Sequence, residues 1–496
     1  MIKIAPTLAI LCAILGTTSC THHKAEMPNI IFLMDDQHRW DAFGFVDPKV
    51  KTPALDQLAR EGVFFDQAVC QAPMCVPSRY SMMLDLYPNE IGVLSNATGL
   101  DDADLPAIPL PRVLRNAGYQ TAGFGKTHWR SDSCSTRGFE IRYIDALYEE
   151  GAVLMKDVYP EGYRRYMDEN KDFGPGEENN LGYLGMTSAL PEGDHRDGWV
   201  FNQCINFIEN DLDGDRPLFL YLSFLKPHAS HNVPASYADQ YQMEEIPLTI
   251  QPDWEEDQSP HSAGLNRTEM YESYWKVADD QSWKSMKLHY WANCTWIDDM
   301  FGRTLEKLRE QGILDNALII YVSDHGEMLG ERYYRFNKYC LYEPSVRVPL
   351  ILSGSALPDH LRNTIDHRPA ELVDLYPTIL KYASIEPPHR GVGLDLLGTE
   401  IHPAGFSALH QHPRQASFMW RTQDYKLILV MNRKDAAEAY ETKDIIDGEL
   451  YDLQNDPAEW YNLYRSSELK DIREQMTEDL MTRLTQFFFV SDKLAN

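Results

Sequence analysis

The chain has 496 residues and a formal net charge of −29 at pH 7, and 43% of its residues are apolar. A chain of this length and apolar content can form one large core together with a smaller second domain. The acidic excess argues against nucleic acid as a partner, because nucleic-acid binding favours a basic surface. It would also repel a polyanionic substrate at long range, so a local basic pocket would have to attract such a substrate.

The first residues predict an export signal. A short basic start, Met1-Ile2-Lys3, is followed over residues 4–16 by an apolar stretch that is too short to span a bilayer. Ser19 then precedes Cys20, which resembles a bacterial lipoprotein signal over residues 1–19. This resemblance implies lipid on the thiol of Cys20 and a linker over residues 20–27. We therefore expect a protein in the periplasm or at the surface of a bacterial cell, held to the membrane only through a lipid anchor, with ordinary secretion as the alternative.

Buried strands alternate with helices along most of the chain. This pattern predicts an α/β fold with a central, mostly parallel sheet flanked by helices. The strand-like runs are residues 29–34, 119–124, 218–224, 317–322 and 349–352, and the helical patterns are residues 55–61, 111–117, 291–310 and 374–382. After about residue 413 the pattern changes to a small antiparallel sheet, followed by an amphipathic helix at about 469–488. We predict a large domain over residues 28–412 and a C-terminal subdomain over residues 413–496.

Two of the predicted strands end in acidic residues. The strand at 29–34 runs into Asp35 and Asp36, and the strand at 317–322 is followed by Asp324 and His325. Because the carboxyl ends of parallel strands meet at one edge of a sheet, we expect these side chains to lie together. Adjacent carboxylates are costly to bury without a cation. Three carboxylates and one imidazole suit a hard divalent cation, so we predict Ca²⁺, with Mg²⁺ as the alternative.

The segment Cys75-Val76-Pro77-Ser78-Arg79 lies where a loop enters a helix. A cysteine there fits a nucleophile at a helix N-terminus, where backbone N–H groups and the helix dipole favour anions. The other cysteines predict no readable disulfide framework; apart from Cys12 and Cys20 they are Cys70, Cys134, Cys204, Cys294 and Cys340.

Further basic residues follow other strand ends. They are Lys126 and His128 after the strand at 119–124, His228 after the strand at 218–224, and Lys338 ahead of the strand at 349–352. Fixed cations and a proton donor are what an anionic ester requires as negative charge develops on its leaving oxygen. Together with Arg79, these residues form a candidate anion-binding set.

These motifs together resemble the formylglycine-dependent, or type I, sulfatase family of the alkaline-phosphatase-like superfamily. Cys-x-Pro-Ser-Arg is the recognition motif of that family, and the resemblance runs from about residue 28 to about residue 463. It implies that a formylglycine-generating or radical maturation enzyme oxidises Cys75 to the aldehyde formylglycine. A weaker likeness to iduronate-2-sulfatase-like members, carried by Lys226-Pro227-His228 and Asp324-His325, points toward a sulfated carbohydrate.

The resemblance also implies roles for the basic residues. The hydrated aldehyde would attack sulfur, His228 would protonate the departing alcohol, and His128 would take a proton from the second hydroxyl. Arg79, Lys126 and Lys338 would hold the sulfate oxygens. The expected substrate is a sulfated glycan, such as a glycosaminoglycan.

Two alternatives stay open at this point. One is a phosphonate monoester or phosphodiester hydrolase of the same superfamily. The other is a non-catalytic lipoprotein that binds sulfated glycans. The second alternative depends on a departure from the family: Leu84-Asp85 stands where the family usually has Thr-Gly, ahead of Tyr87-Pro88. We expect this exchange to alter the helix behind Cys75 and the recognition of the motif by the modifying enzyme.

Overall fold

The computed structural model describes residues 27–129, 136–145, 152–170, 184–254, 259–263, 277–410, 413–434 and 438–494. The predicted export signal with Cys20, most of the linker over residues 20–27, and Cys134 lie outside the described residues. Within the described part, no helix has both the length and the apolar character needed to cross a membrane. The described cysteines Cys70, Cys75, Cys204, Cys294 and Cys340 are all free and buried.

A nine-stranded sheet forms the centre of the large domain. The strands of the chain are β1 (Asn29–Asp36), β2 (Val63–Phe65), β3 (Ala68–Val69), β4 (Gln120–Gly125), β5 (Ile141–Ile144), β6 (Val153–Leu154), β7 (Met186–Ser188), β8 (Leu218–Pro227), β9 (Asn232–Pro234), β10 (Ala317–Ser323), β11 (Leu350–Ser353), β12 (Thr364–Asp366), β13 (Ala370–Glu371), β14 (Gly405–Leu409), β15 (Gln415–Arg421), β16 (Tyr425–Asn432) and β17 (Ile445–Asp452). The large sheet has the order β12-β2-β11-β10-β1-β8-β4-β5-β6. Among its described strands only β11 runs against the others, since it is antiparallel to both of its neighbours. The predicted mostly parallel sheet is confirmed.

Helices cover both faces of this sheet. The longer ones are α1 (Pro53–Glu61), α2 (Cys75–Leu84), α3 (Leu110–Asn116), α4 (Pro160–Asn170), α5 (Arg196–Asn210), α6 (Asp280–Glu310), α7 (Leu375–Tyr382) and α8 (Lys470–Leu494). Short helices span Pro88–Ile91, Met155–Val158, Ala235–Ala238, Pro260–Ala263, Glu331–Tyr334 and Glu343–Val346.

Strand β1 shows how the two faces are separated. Ile30 and Phe32 belong to one core with residues of α2 and α7, whereas Ile31 and Leu33 belong to a second core with residues of α5 and α6. Successive side chains of a strand point to opposite faces. A strand that is apolar at every position is therefore buried on both sides, as its uninterrupted apolar run predicts.

The C-terminal part forms a separate antiparallel sheet in the order β14-β15-β16-β17. Helix α8 packs on it through Met476 and Leu480, which share a core with Phe418 and Leu429. The predicted small sheet and helix are confirmed. Strand β14 was not predicted, and it lies ahead of the boundary that the sequence placed at residue 413.

Candidate active site

The carboxyl ends of four adjacent strands meet at one edge of the large sheet. Asp35 of β1 is in register with Ser323 of β10, and Asp36 is in register with Pro227 of β8. On the other side of β8, Gly125 of β4 pairs with Ser223. The residues that follow these strands therefore converge, as the sequence predicted from strand-end placement.

Four buried side chains at this edge form a candidate metal centre. Asp36, Cys75, Asp324 and His325 each offer one ligand atom, and these atoms all lie within 4.8 Å of one another. His325 Nε2 is 3.5 Å from Asp324 Oδ1 and 3.9 Å from Asp36 Oδ1. Cys75 Sγ is 3.2 Å from His325 Nε2. In this unmodified chain, the sulfur stands in for the oxygen that formylglycine would carry.

Asp35, the remaining predicted ligand, lies beside this group, and one of its carboxylate oxygens accepts no hydrogen bond from the described residues. Its Oδ2 accepts a hydrogen bond from the Tyr321 hydroxyl at 2.7 Å and lies 2.6 Å from His38 Nδ1. Its buried Oδ1 has no hydrogen-bond partner among the described residues. A buried carboxylate oxygen without a donor is costly, and a bound cation would satisfy it. The donor set of three carboxylates and one imidazole therefore fits a hard divalent cation.

Cys75 is the first residue of α2 and is completely buried. Its helix is tied to the metal centre, because Ser78 Oγ donates to the Asp324 carbonyl at 2.6 Å. Burial raises the pKa of the Cys75 thiol, but Lys126, Lys338 and His325 outweigh burial and hold that pKa well below its usual value. The site therefore favours an anion at the position of this sulfur.

Two lysines supply this positive charge. Lys338 Nζ lies 3.1 Å from Cys75 Sγ, and Lys126 Nζ lies 3.6 Å from it. Lys126 Nζ is also 2.5 Å from Asp36 Oδ2. Both lysines are buried, so their charges act in a site of low dielectric, where electrostatic interactions are strong. The structure brings together the two lysines that the sequence selected.

Arg79 faces the carboxylates and not the space beside Cys75. Its Nε donates to Asp324 Oδ2 at 2.7 Å and its Nη2 donates to Asp36 Oδ2 at 3.1 Å. Its Nη1 donates to the Lys126 carbonyl at 2.7 Å and to Ser223 Oγ at 3.0 Å. These contacts make Arg79 a clamp that orients two candidate ligands. Its expected contact with sulfate oxygens stays a prediction, and the geometry favours a positioning role.

The two predicted catalytic histidines flank the cysteine. His228 Nδ1 lies 2.6 Å from the Ala229 carbonyl and so carries the proton, which leaves Nε2 facing Asp36 Oδ1 at 3.9 Å. Burial, with Lys338 nearby, lowers the pKa of His228 to about 4. His128 lies against Cys75 with a φ of 57°, a backbone conformation that is uncommon outside glycine, and its pKa is lowered by burial and by Lys126. The surroundings of both imidazoles therefore favour the neutral form before an anion binds.

Sequence reasoning missed the residues that support these groups. His38 and Tyr321 hold Asp35, while Gln37 and Glu327 lie beside Lys338. Gln37 directly follows Asp35-Asp36 and Glu327 lies two residues after His325, but the partners of this pair are 290 positions apart. Adjacency to a motif was the available signal, and it does not say which residue pairs with which.

The comparisons with known proteins agree with this geometry. The family model described as Sulfatase matches residues 28–385. The chain belongs to the sulfatase family. A second model, described as N-sulphoglucosamine sulphohydrolase, C-terminal, matches residues 330–486. An arylsulfatase of Clostridium perfringens is 28% identical over 477 residues, which cover 92% of this chain and 94% of the relative. A choline-sulfatase of Rhizobium meliloti is 30% identical over 380 residues, which cover 72% of this chain and 68% of the relative.

Solved structures share the fold of this sulfatase-family chain. The phosphonate monoester hydrolase of Agrobacterium radiobacter has a TM-score of 0.73 at 20% identity, over 93% of this chain and 96% of that one. A protein solved in complex with its substrate D-glucosamine-2-N,6-O-disulfate has a TM-score of 0.69 at 22% identity, over 93% and 98% of the two chains. The alkaline-phosphatase-like fold is confirmed. Membership of the family implies, in general terms, a metal ion and a formylglycine, and the site described above fits both.

Proposed function

We propose that this protein hydrolyses sulfate esters of glycans, with a hydroxyl of the hydrated aldehyde formed from Cys75 as its nucleophile. The observation that carries the proposal is the place of Cys75 Sγ. It lies at the start of α2, 3.2 Å from a candidate metal ligand and 3.1 Å from a buried lysine. A cation site and two fixed ammonium groups around one reactive position suit a reaction in which negative charge develops on an ester.

The metal we propose is Ca²⁺, with Mg²⁺ as the alternative, held by Asp35, Asp36, Asp324 and His325. When bound, it would lower the pKa of a hydroxyl on the hydrated aldehyde and offset the charge of the ester. The oxygen-rich donor set and the uncommitted Oδ1 of Asp35 support this choice. Arg79 would keep Asp36 and Asp324 in place through its two charge-assisted hydrogen bonds.

The basic residues would divide the remaining tasks. Lys126 and Lys338 would hold sulfate oxygens, since both ammonium groups lie beside Cys75 Sγ. His228 would donate a proton to the departing alcohol from Nε2, because a bound anion next to this imidazole would raise its pKa from about 4. His128, on the cysteine side, would accept a proton when sulfate leaves.

A carbohydrate substrate is supported by what some relatives are named for. An N-acetylglucosamine-6-O-sulfatase of Bacteroides thetaiotaomicron is 25% identical over 559 residues, covering 97% of this chain and 91% of the relative. An ulvan-active sulfatase of Formosa agariphila is 27% identical over 372 residues, covering 74% and 64% of the two proteins. We therefore propose a glycosaminoglycan or another sulfated glycan as the substrate.

The first test is the mass of the tryptic peptide 61–79 from protein purified out of its own host. This peptide contains two cysteines, Cys70 and Cys75, and ends at Arg79. After reduction and alkylation, a matured chain would show one alkylated cysteine and one aldehyde. Two alkylated cysteines would mean that the chain escapes the maturation enzyme, and would favour the glycan-binding lipoprotein over the hydrolase.

The second test compares activities on matched esters. Phosphonate monoester hydrolysis is the alternative activity, because phosphonate monoester hydrolases share the fold. Turnover of sulfated saccharides well above that of a matched phosphonate monoester would support the proposed function, and the reverse ratio would overturn it.

We also propose export and lipid attachment at Cys20, as the N-terminal pattern predicts. Replacing this residue, Cys20→Ala, would then move the protein from the membrane fraction to the soluble fraction of its host. Unchanged retention in the membrane fraction would contradict the anchor.

A further inference from the structure

We propose that Glu327 is a positioning residue for the reaction and that it acts through Gln37 on Lys338. The inference rests on the proposed function, because Lys338 is the lysine that lies nearest to Cys75 Sγ, at 3.1 Å. No role in the reaction has so far been given to Glu327 or Gln37. Both are buried and lie directly beside the candidate metal centre.

Gln37 joins the glutamate to the lysine through the two ends of its side-chain amide. Its Oε1 accepts a hydrogen bond from Lys338 Nζ at 2.8 Å, and its Nε2 donates to Glu327 Oε2. An ammonium group can only donate and a carboxylate can only accept. The amide therefore has one allowed orientation, and the carboxylate of Glu327 selects it.

Glu327 also holds the backbone from which Lys338 extends. Its Oε1 accepts the N–H groups of Leu329, at 3.0 Å, and of Asn337, the residue before the lysine. Asn337 Oδ1 in turn accepts the N–H of Lys338 at 2.9 Å. One carboxylate thus fixes both the backbone at Lys338 and, through Gln37, the ammonium group of its side chain.

The lysine needs such anchors because its own backbone is irregular. Asn337 and Tyr339, on either side of Lys338, have φ values of 66° and 72°. Residues of this kind lie outside regular strands and helices, so no ladder of backbone hydrogen bonds defines the direction of the side chain. Side-chain contacts have to supply that definition. The acceptors that do so are those of the buried Glu327 and Gln37 and of the half-buried Asn337.

These contacts form a relay from Glu327 through Gln37 to Lys338. An exchange of the carboxylate and the amide between positions 327 and 37 tests it. In Glu327→Gln, a single amide oxygen replaces the two carboxylate oxygens that accept from Gln37 Nε2 and from the N–H groups of Leu329 and Asn337. The new NH₂ group therefore faces a donor on one side, or the amide of Gln37 turns and presents its own NH₂ group to the ammonium of Lys338. In Gln37→Glu, two carboxylates face each other. The double variant Glu327→Gln/Gln37→Glu again has one amide facing one carboxylate, with the net charge unchanged and an acceptor still available to Lys338.

We expect each single variant to lower kcat/KM by about 10- to 100-fold, the usual cost of losing a group that orients an active-site residue. The double variant is expected to regain most of this loss, which a merely structural role in folding would not predict. The matched control is the exposed pair on α1, where Gln57 Nε2 donates to Glu61 Oε1 at 2.8 Å. The exchange Gln57→Glu/Glu61→Gln should leave kcat/KM unchanged.

Crystal structures of the unmodified proteins give a readout that does not depend on activity. The Lys338 Nζ to Cys75 Sγ contact, 3.1 Å in the wild type, should be lost in the single variants and restored in the double variant. The relay is overturned if the single variants keep both this contact and full kcat/KM, or if the double variant recovers neither. If Glu327→Gln does not fold, Gln37→Met removes both amide contacts at similar length, and unchanged kcat/KM there also overturns the relay. Absence of sulfatase activity in the wild type, with the contact changing as expected, would instead reject the proposed function and leave the relay standing.

Discussion

Two buried clusters of charge in this protein use the same residue types and differ in how completely their members are paired. The interface cluster joins the large domain to the C-terminal sheet and consists of Glu343, Arg421, Lys426 and Glu459. Glu343 Oε1 lies 2.7 Å from both Arg421 Nε and Lys426 Nζ, and Lys426 Nζ lies 2.7 Å from Glu459 Oε1. Each charge of this cluster lies next to an opposite charge, although the contact of Glu459 Oε1 with Lys426 lacks hydrogen-bond geometry.

The active-site cluster consists of Asp35, Asp36, Arg79, Lys126, Asp324 and Lys338. Here the carboxylate of Asp35 keeps an oxygen without a partner among the described residues, and Lys338 points at the sulfur of Cys75. A fully paired buried cluster holds two parts of a fold together, whereas an incompletely paired one is poised for a ligand. Burial of charge is common to both clusters; the active-site cluster differs in having a carboxylate oxygen, Asp35 Oδ1, with no hydrogen-bond donor among the described residues and no ion pair of its own.

The largest expected effect is a complete loss of turnover at the active-site cluster without loss of the fold. The variant Cys75→Ala should lose turnover completely while the protein keeps its fold, since the change removes the reactive group and only one small buried side chain. Sulfate release from a sulfated saccharide and urea unfolding would measure the two effects. The control is Cys204→Ala, a buried free cysteine of the second core, which should keep its turnover. Retained activity in Cys75→Ala would rule out this residue as the nucleophile.

The next effect concerns the cation that would complete the active-site cluster. Asp324→Asn keeps the shape of the side chain but removes a charge that faces Arg79 Nε and the Gln37 N–H group. We expect loss of bound metal and a fall in kcat/KM of at least about 100-fold, because a metal supplies several kcal/mol of transition-state stabilisation. Elemental analysis of the purified protein and kinetics would show both changes together. A variant with full metal content and full activity would contradict the assignment of Asp324 as a ligand.

The interface cluster should respond in the opposite way. Glu343→Gln would leave Arg421 and Lys426 buried with less compensating charge. The expected loss is about 3–5 kcal/mol in the free energy of unfolding, as is usual when one partner of a buried ion pair is removed. The kcat of the folded molecules should stay the same, because none of the ion pairs that the described residues of this cluster make involves Cys75, Lys338 or a candidate metal ligand. A fall in kcat without a loss of stability would contradict the distinction between the two clusters.

The sequence predicted the active-site cluster far better than the interface cluster, for a physical reason. Asp36 ends one buried parallel strand and Asp324 directly follows another, so the alternation of strands and helices alone places them at one edge. Glu343 and Arg421 lie 78 positions apart with no such rule between them. Their contact depends on how the C-terminal sheet docks, which local patterns do not determine.

Element boundaries show the same limit. Helix α6 was predicted to begin at residue 291 and begins at Asp280, where Asp279 caps it by accepting the N–H of Ser282 at 2.8 Å. Its first turns carry several polar residues, so an apolar periodicity finds only the later turns. Strand β14 was missed because its pairing with β15 is set by the small sheet.

A further expected effect concerns the pH dependence of stability at the departure Leu84-Asp85. Asp85 ends α2 with a φ of 56°, a conformation that glycine adopts most easily. Its carboxylate accepts the N–H groups of Gly393 at 2.6 Å and Val392 at 3.1 Å. The aspartate therefore closes the helix behind Cys75 and ties a distant loop to it. This is a structural role for Asp85 at the end of the helix, and the effect of Leu84-Asp85 on maturation of Cys75 stays a prediction.

Burial raises the pKa of Asp85 from 3.8 to about 8, so the folded protein holds this proton more tightly than the unfolded chain. The stability that the group contributes is therefore present at low pH and is lost as the pH rises through about 8. Asp85→Asn removes the titration, so the free energy of unfolding should fall less between about pH 5 and about pH 8 in the variant than in the wild type. Urea unfolding at several pH values measures the difference, from which the other titrating groups cancel. Parallel curves would mean that the carboxylate is already ionised in the folded protein, balanced by the two N–H groups, and that its burial carries no cost in proton affinity.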